Sequence, residues 1–145
     1  MVSEIRVLEK LDDEFFQLRH RVLRQGQPFE TVHYRRIDTD PLTRHIGYFQ
    51  EQKIIGIATM QVDERSGCRF RIRGMAVDEA FRGQGIGTQM VEYFQRIAAL
   101  EKTGIWCNAR ILAVPLYARC GFEIVSDVFV IENIGPHHDM EWKHA

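Results

Sequence analysis

Apolar residues recur along this chain with two different periods, and the change from one to the other marks out its central elements. From Cys68 to Val77 the period is two. Cys68, Phe70, Ile72, Gly74 and Ala76 share one face, while Arg69, Arg71 and Arg73, followed by Met75 and Val77, take the other. A strand alternates its side chains in this way. Gly74 inside it predicts a bulge or a close approach by a ligand. From Gly85 to about Lys102 the period is helical. Ile86, Met90, Phe94, Ile97 and Ala98 form a stripe, Glu92, Gln95 and Arg96 face water, and Gly104 marks the stop.

The rest of the chain follows the same reading. Ile5 to Leu8 is a short strand. Asp12 or Asp13 caps a helix that runs to about Arg24 on a stripe of Phe15, Phe16, Leu18, Val22 and Leu23. Gln25 to Pro28 ends it, and residues 29 to 44 form a polar loop with one helical turn. His45 to Gln50 and Lys53 to Val62 are strands joined at Glu51 and Gln52, with a turn over Asp63 to Gly67. After the long helix come a strand over Ile105 to Ala109 and a helix over about Leu112 to Cys120. Pro115 belongs in the first turn of that helix, so the helix starts after Asn108. Gly121 ends it, and Phe122 to Ile131 pairs with Asp139 to Lys143.

The resulting order is β-α-(loop)-β-β-β-α-β-α-β-β. Three antiparallel strands precede a strand–helix–strand crossover, which predicts an α/β fold with a mixed sheet. No repeat or composition shift divides the 145 residues, so residues 1–145 read as a single domain.

Composition narrows the function classes. Hydrophobic content is 45%, charged content 27% and net charge -1, so no global basic field argues for nucleic acid. No apolar run reaches membrane-spanning length, and the opening residues lack a signal-peptide pattern. Cys68, Cys107 and Cys120 are odd in number and widely spaced, which reads as reduced thiols in the cytoplasm. His137, His138, Asp139 and His144 cluster, but adjacent strand residues point to opposite faces, so no metal is expected.

The candidate chemistry starts at Arg82-Gly83-Gln84-Gly85-Ile86-Gly87-Thr88. Alternating glycines leave amide N–H groups uncovered just where a helix N-terminus adds partial positive charge, which suits a phosphate. The third glycine comes one residue early for a dinucleotide turn, and no Lys follows Gly87 to make a P-loop. Gly87→Glu is expected to abolish phosphate binding and spare the fold.

This stretch resembles the R/Q-x-x-G-x-G/A signature of the GNAT superfamily of acyl-CoA-dependent N-acyltransferases. Residues 108 to 122, Asn108-Ala-Arg-Ile-Leu-Ala-Val-Pro-Leu-Tyr117-Ala-Arg-Cys-Gly121-Phe122, resemble that family's N…A-x-x-F/L-Y-x-x-x-G-F pattern. The predicted element order is the one expected of the family, so the likeness covers nearly the whole chain. Gly135-Pro-His137-His-Asp-Met140 is similar to the Gly-x-Pro-His-x-x-Met ending of the ElaA-like branch. Leu18 to Pro28 is similar to that branch's opening, although Gln25 stands where Glu is usual.

The resemblance implies a mostly antiparallel sheet splayed at an acyl-CoA site and flanked by helices. It implies acetyl-CoA (coenzyme A) as co-substrate, with its pyrophosphate on the amides of residues 82 to 88. The pantetheine arm would lie along Met75, Ala76 and Val77 and near Asn108, with one strand amide facing the thioester oxygen. Tyr117 would be the general acid for the leaving thiolate. His137 would be a base or an acceptor contact, and Glu30 with Asp38 would attract a cationic amine. The implied function is N-acetyl transfer to a primary amine of a small molecule or peptide, directly and in a ternary complex. The alternative is a non-catalytic acyl-CoA sensor of the same fold, which has no need of Tyr117. Acceptor identity and oligomeric state stay open in the sequence, a homodimer being one option.

Overall fold

The computed structural model describes residues 2–144. Eight strands form one sheet in the order β1-β2-β3-β4-β5-β8-β6, with β7 also paired to β8. The strands are β1 (Ser3–Val7), β2 (Arg44–Gln50), β3 (Lys53–Arg65), β4 (Cys68–Val77), β5 (Ile105–Arg110), β6 (Glu123–Ile124), β7 (Phe129–Ile131) and β8 (Gly135–Trp142). Every pairing is antiparallel except β4 with β5. This is the mixed, mostly antiparallel sheet that the periodicities predict.

Three helices cover it: α1 (Asp13–Leu23), α2 (Ile86–Leu100) and α3 (Val114–Arg119). Asp12 caps α1 by accepting from the Phe15 N–H at 3.0 Å. That helix buries Phe15 and Leu18 against Ile54, Ile57 and Ala76. Met90, Val91, Phe94 and Ala98 of α2 join a larger cluster with Ile55, Met60, Phe70, Ile72, Cys107 and Met140.

The bulge expected at Gly74 is present, and it corrects the assignment of faces. Ile57 pairs with Ala76 while Thr59 pairs with Arg73, so Gly74 and Met75 together stand opposite Ala58 alone. An extra residue inverts the alternation downstream. Phe70 and Ile72 belong to the α2 cluster, but Ala76 has crossed to the α1 cluster, and Met75 and Val77 now pack on the α2 side.

Three other expectations shift. The strand expected over 122 to 131 is two short strands separated by residues 125–128. Across that break the Ser126 hydroxyl accepts from the Asp139 N–H at 2.8 Å, in place of a strand-to-strand bond. The last strand begins at Gly135, four residues early, so His137 and His138 lie within it. Finally, α2 ends before Gly104, with Lys102 in the left-handed region (φ 54°). A Cβ on Gly104 would sit 2.3 Å from the Trp142 carbonyl oxygen, so this glycine serves close strand packing.

Candidate active site

β4 and β5 pair at two positions only, Phe70 with Ile105 and Arg71 with Trp106. Beyond them the strands part. From Ile72 onward β4 has no strand on its β5 side, and β5 keeps only β8 as neighbour. Main-chain groups left open along such a gap are available to an extended ligand that lies like a strand.

A cleft of about 190 Å³ opens at this gap. It brings together four residues singled out in the sequence: Met75, Asn108, Tyr117 and His137. Ala76 and Val77 continue β4 beside it. Glu30 lies elsewhere, exposed on the 3-10 turn Phe29–Val32, and is not among the residues lining the cleft. Asp38 is also diverted. Its carboxylate accepts from Arg19 at 2.9 Å and from the Tyr34 N–H at 2.9 Å, which ties the 24–44 loop to α1.

The glycine turn sits at the entry to α2. Asp78 first sets a 3-10 turn over Glu79–Phe81, accepting from the Ala80 N–H at 3.0 Å and pairing with Arg21 at 2.9 Å. That backbone bond, together with Arg21, holds the Asp78 carboxyl below its ordinary range. Gly83 and Gly85 follow with φ of 79°, a region that favours glycine, and a Cβ on either would meet nothing within 4 Å. No side chain caps the first turn of α2. Amides there are free for an anion, as a pyrophosphate cradle requires. Arg82 and Gln84 are exposed, and Thr88 is half-buried on the first turn.

Gly87 differs from its neighbours. It is buried, and a Cβ on it would meet Leu116 Cδ1 at 2.6 Å and Met75 Cε at 3.9 Å. Its smallness lets α2 approach α3 and the bulged strand. A glutamate there runs into that packing, so the expectation that Gly87→Glu would remove phosphate binding and spare the fold does not fit this structure.

Tyr117 is 5% exposed on α3 and meets Phe122 edge-to-face at 5.2 Å. Burial, then the neighbouring Cys107 and Cys120 thiols, push its hydroxyl well above the ordinary value of 10.0. It is therefore a phenol at neutral pH, able to donate. Burial raises the Cys107 thiol as well. His137 is buried on β8, stacked on Phe129 at 5.9 Å. Its Nδ1 bonds the Gly135 carbonyl oxygen at 2.7 Å. A carbonyl only accepts, so Nδ1 carries a proton, and in the neutral tautomer this bond selects, the lone pair lies on Nε2.

Asn108 is less free than the sequence reading supposed. Its side-chain oxygen accepts from Arg71, and its amide donates to Asp139 at 2.5 Å. Its side chain braces β5 against β4 and β8, while the main chain of β5 borders the gap.

Sequence reasoning missed the arginines. Arg24, Arg71, Arg73 and Arg110 all line the cleft, with Tyr34 beside them. Arg71 and Arg73 were visible as polar alternates on β4, but the contribution of Arg24 and Arg110 depends on the tertiary fold. Among the described residues no group of three His, Cys, Asp or Glu side chains is placed to hold a metal ion.

The model of the acetyltransferase (GNAT) domain family matches residues 21–144. The chain belongs to this family. It is an enzyme of the acetyltransferase class. A relative from Bacillus subtilis (strain 168), named uncharacterized N-acetyltransferase YitI, is 29% identical over 130 residues, covering 86% of this chain and 87% of that protein. The crystal structure of Escherichia coli ElaA matches with a TM-score of 0.74 at 22% identity, over 97% of this chain and 99% of that one. A Bacillus subtilis acetyltransferase in complex with CoA matches with a TM-score of 0.72 at 18% identity, over 98% of this chain and 99% of that one. Among the described residues of this acetyltransferase, no helix is long and apolar enough to cross a membrane.

Proposed function

We propose that this acetyltransferase moves an acetyl group from acetyl-CoA directly to a primary amine while both are bound. The observation that carries this reading is the convergence of Met75, Tyr117 and His137 on the gap between β4 and β5. Acetyl-CoA supplies an acyl group on a good leaving sulfur, and the chain supplies position and proton transfer.

The amides of residues 83 to 88 hold the pyrophosphate, and Arg82 adds charge at the rim. The open main chain of β4 around Met75, Ala76 and Val77 orders the pantetheine arm. An amide there stabilises charge on the carbonyl oxygen, a preorganised donor in a half-dry site. His137 Nε2 takes the proton from the acceptor nitrogen as that nitrogen bonds to the carbonyl carbon. Tyr117 Oη gives its proton to sulfur as the carbon–sulfur bond breaks. No cysteine suits a covalent relay. Cys107 and Cys120 both have thiols raised by burial, which lowers their thiolate fraction. The sensor alternative gains nothing from a buried phenol and a free imidazole nitrogen in one cleft.

Thermal shift with acetyl-CoA, CoA, ATP and NAD, followed by thiol release against an amine panel, tests the proposal. Stabilisation by acetyl-CoA with amine-dependent thiol release is expected. Stabilisation by NAD or ATP alone, or thiol release that ignores the amine, rejects it.

A further inference from the structure

The cleft has a marked charge asymmetry. Four of its lining residues are arginines, Arg24, Arg71, Arg73 and Arg110, and none is Asp or Glu. Arg71 pairs with Asp63 at 3.3 Å, and its Nε is buried without a hydrogen-bond partner among the described residues. The other three form no ion pair among the described residues. Arg73 bonds the Gln61 side-chain oxygen at 3.3 Å. Arg24 and Arg110 bond the Leu23 carbonyl oxygen at 3.3 and 3.1 Å.

Cations gathered in a half-buried cleft, with Asp63 beside Arg71 as their one carboxylate partner among the described residues, repel one another and lose hydration. Burial and the neighbouring arginines both pull Arg73 and Arg110 below the ordinary arginine value, which reflects this cost. An unpaired cationic cluster beside a reaction centre is placed to receive an anion. The phosphate cradle is elsewhere, at the glycine turn. The Arg cluster shares its space instead with Tyr34 and His137, on the side expected to receive the amine.

We propose that the acceptor is an anionic amine, one whose carboxylate or phosphate is bound by Arg73, Arg110 and Arg24 while its nitrogen faces His137. This rests on the acetyl-transfer reading and reverses the cationic acceptor suggested by Glu30 and Asp38. A guanidinium fork grips either oxyanion bidentately and fixes the nitrogen a short distance away. Polyamines and other cationic amines are repelled.

The test is thiol release from acetyl-CoA with matched amines. The carboxylate arm compares glutamate and glycine with their amides. The phosphate arm compares phosphoethanolamine and glucosamine 6-phosphate with ethanolamine and glucosamine. Spermidine and lysine methyl ester supply the cationic arm. At least one anionic amine should exceed its neutral counterpart by tenfold or more in kcat/KM, and the arm that does so identifies the oxyanion. Arg73→Gln and Arg110→Gln should raise the KM of that acceptor tenfold or more and change the acetyl-CoA KM less than twofold. Arg73→Lys should restore part of the loss. If Arg73→Gln reduces folded yield, added salt supplies the second reading, by raising the acceptor KM of the wild type more than its kcat falls. Preference for neutral or cationic amines overturns the anionic acceptor and leaves acetyl transfer standing. Loss of acetyl-CoA affinity in Arg73→Gln assigns the cluster to the donor and also overturns it. No thiol release with any amine, and no stabilisation by acetyl-CoA, overturns the transfer reading itself.

Discussion

The Arg19 guanidinium lies over the ring of Tyr34, 3.8 Å from its centroid, and so joins α1 to the loop that borders the cleft. Arg19 is fully buried, and donates to the Val32 carbonyl oxygen at 2.6 Å, to Asp38 at 2.9 Å and to the Thr59 hydroxyl at 3.1 Å. A loop with little hydrophobic pattern is thus fixed by one buried cation. Gly74 makes room for this stack, since a Cβ there would meet Tyr34 Cε2 at 2.9 Å.

Loss of the Asp38 charge should therefore be costly. Asp38→Asn leaves a buried guanidinium uncompensated, at a cost of about 3–5 kcal/mol. Urea unfolding should show that loss, together with faster proteolysis between residues 24 and 44. A change under 1 kcal/mol would show that Arg19 is stabilised by its carbonyl and ring contacts instead.

His45 makes that anchor sensitive to acid. It bonds the Thr59 hydroxyl at 2.8 Å and the Asp38 carbonyl oxygen at 3.2 Å. Burial lowers its pKa from 6.5, outweighing the pull of Asp38. The unfolded chain then takes up a proton more readily than the folded one. The stabilisation from neutral His45 is present above pH 6.5 and is lost as pH falls below it. The urea midpoint should fall more steeply between pH 7 and 5 in the wild type than in His45→Gln. Equal slopes would assign the acid sensitivity to other groups.

The glycines of the turn separate by role. Gly85→Ala places a Cβ in open space at a left-handed residue. It should cost about 1–2 kcal/mol of stability and weaken acetyl-CoA binding tenfold or more by covering amides. Gly87→Ala pushes the half-buried Leu116 side chain aside, so the melting temperature should fall modestly while acetyl-CoA affinity is largely kept. Calorimetric titration beside a melting curve distinguishes them. The opposite pattern would place the anion against the Cα of Gly87 instead of over Gly85.

Much of this was legible from residue patterns because each element carried its own period. The β4 alternation, the α2 stripe, and Pro115 with Gly121 around α3 fixed those elements locally. Gly74 announced a bulge, but its consequence for Ala76 was not legible, since inversion of the faces depends on what β3 places opposite. After Ile124 the Val125 N–H still bonds the Asp139 carbonyl oxygen, but the Asp139 N–H turns to the Ser126 hydroxyl, a contact 13 residues away that no local pattern announces. Among the candidate site residues, Tyr117 and His137 were marked by motif spacing. Arg24, Arg73 and Arg110 come from three elements or their ends, and only the fold assembles them into one cationic wall.

The central claim is that Tyr117 protonates the departing sulfur. Its hydroxyl keeps its proton well beyond pH 10.0, so its ionisation should not limit the rate between pH 7 and 9. The direct measurement is single-turnover thiol release by Tyr117→Phe with saturating acetyl-CoA and the best acceptor. Removing a general acid should slow this step by about 10²–10⁴-fold, while the acetyl-CoA Kd stays within twofold. An unchanged rate, or a loss confined to acetyl-CoA affinity, would contradict it.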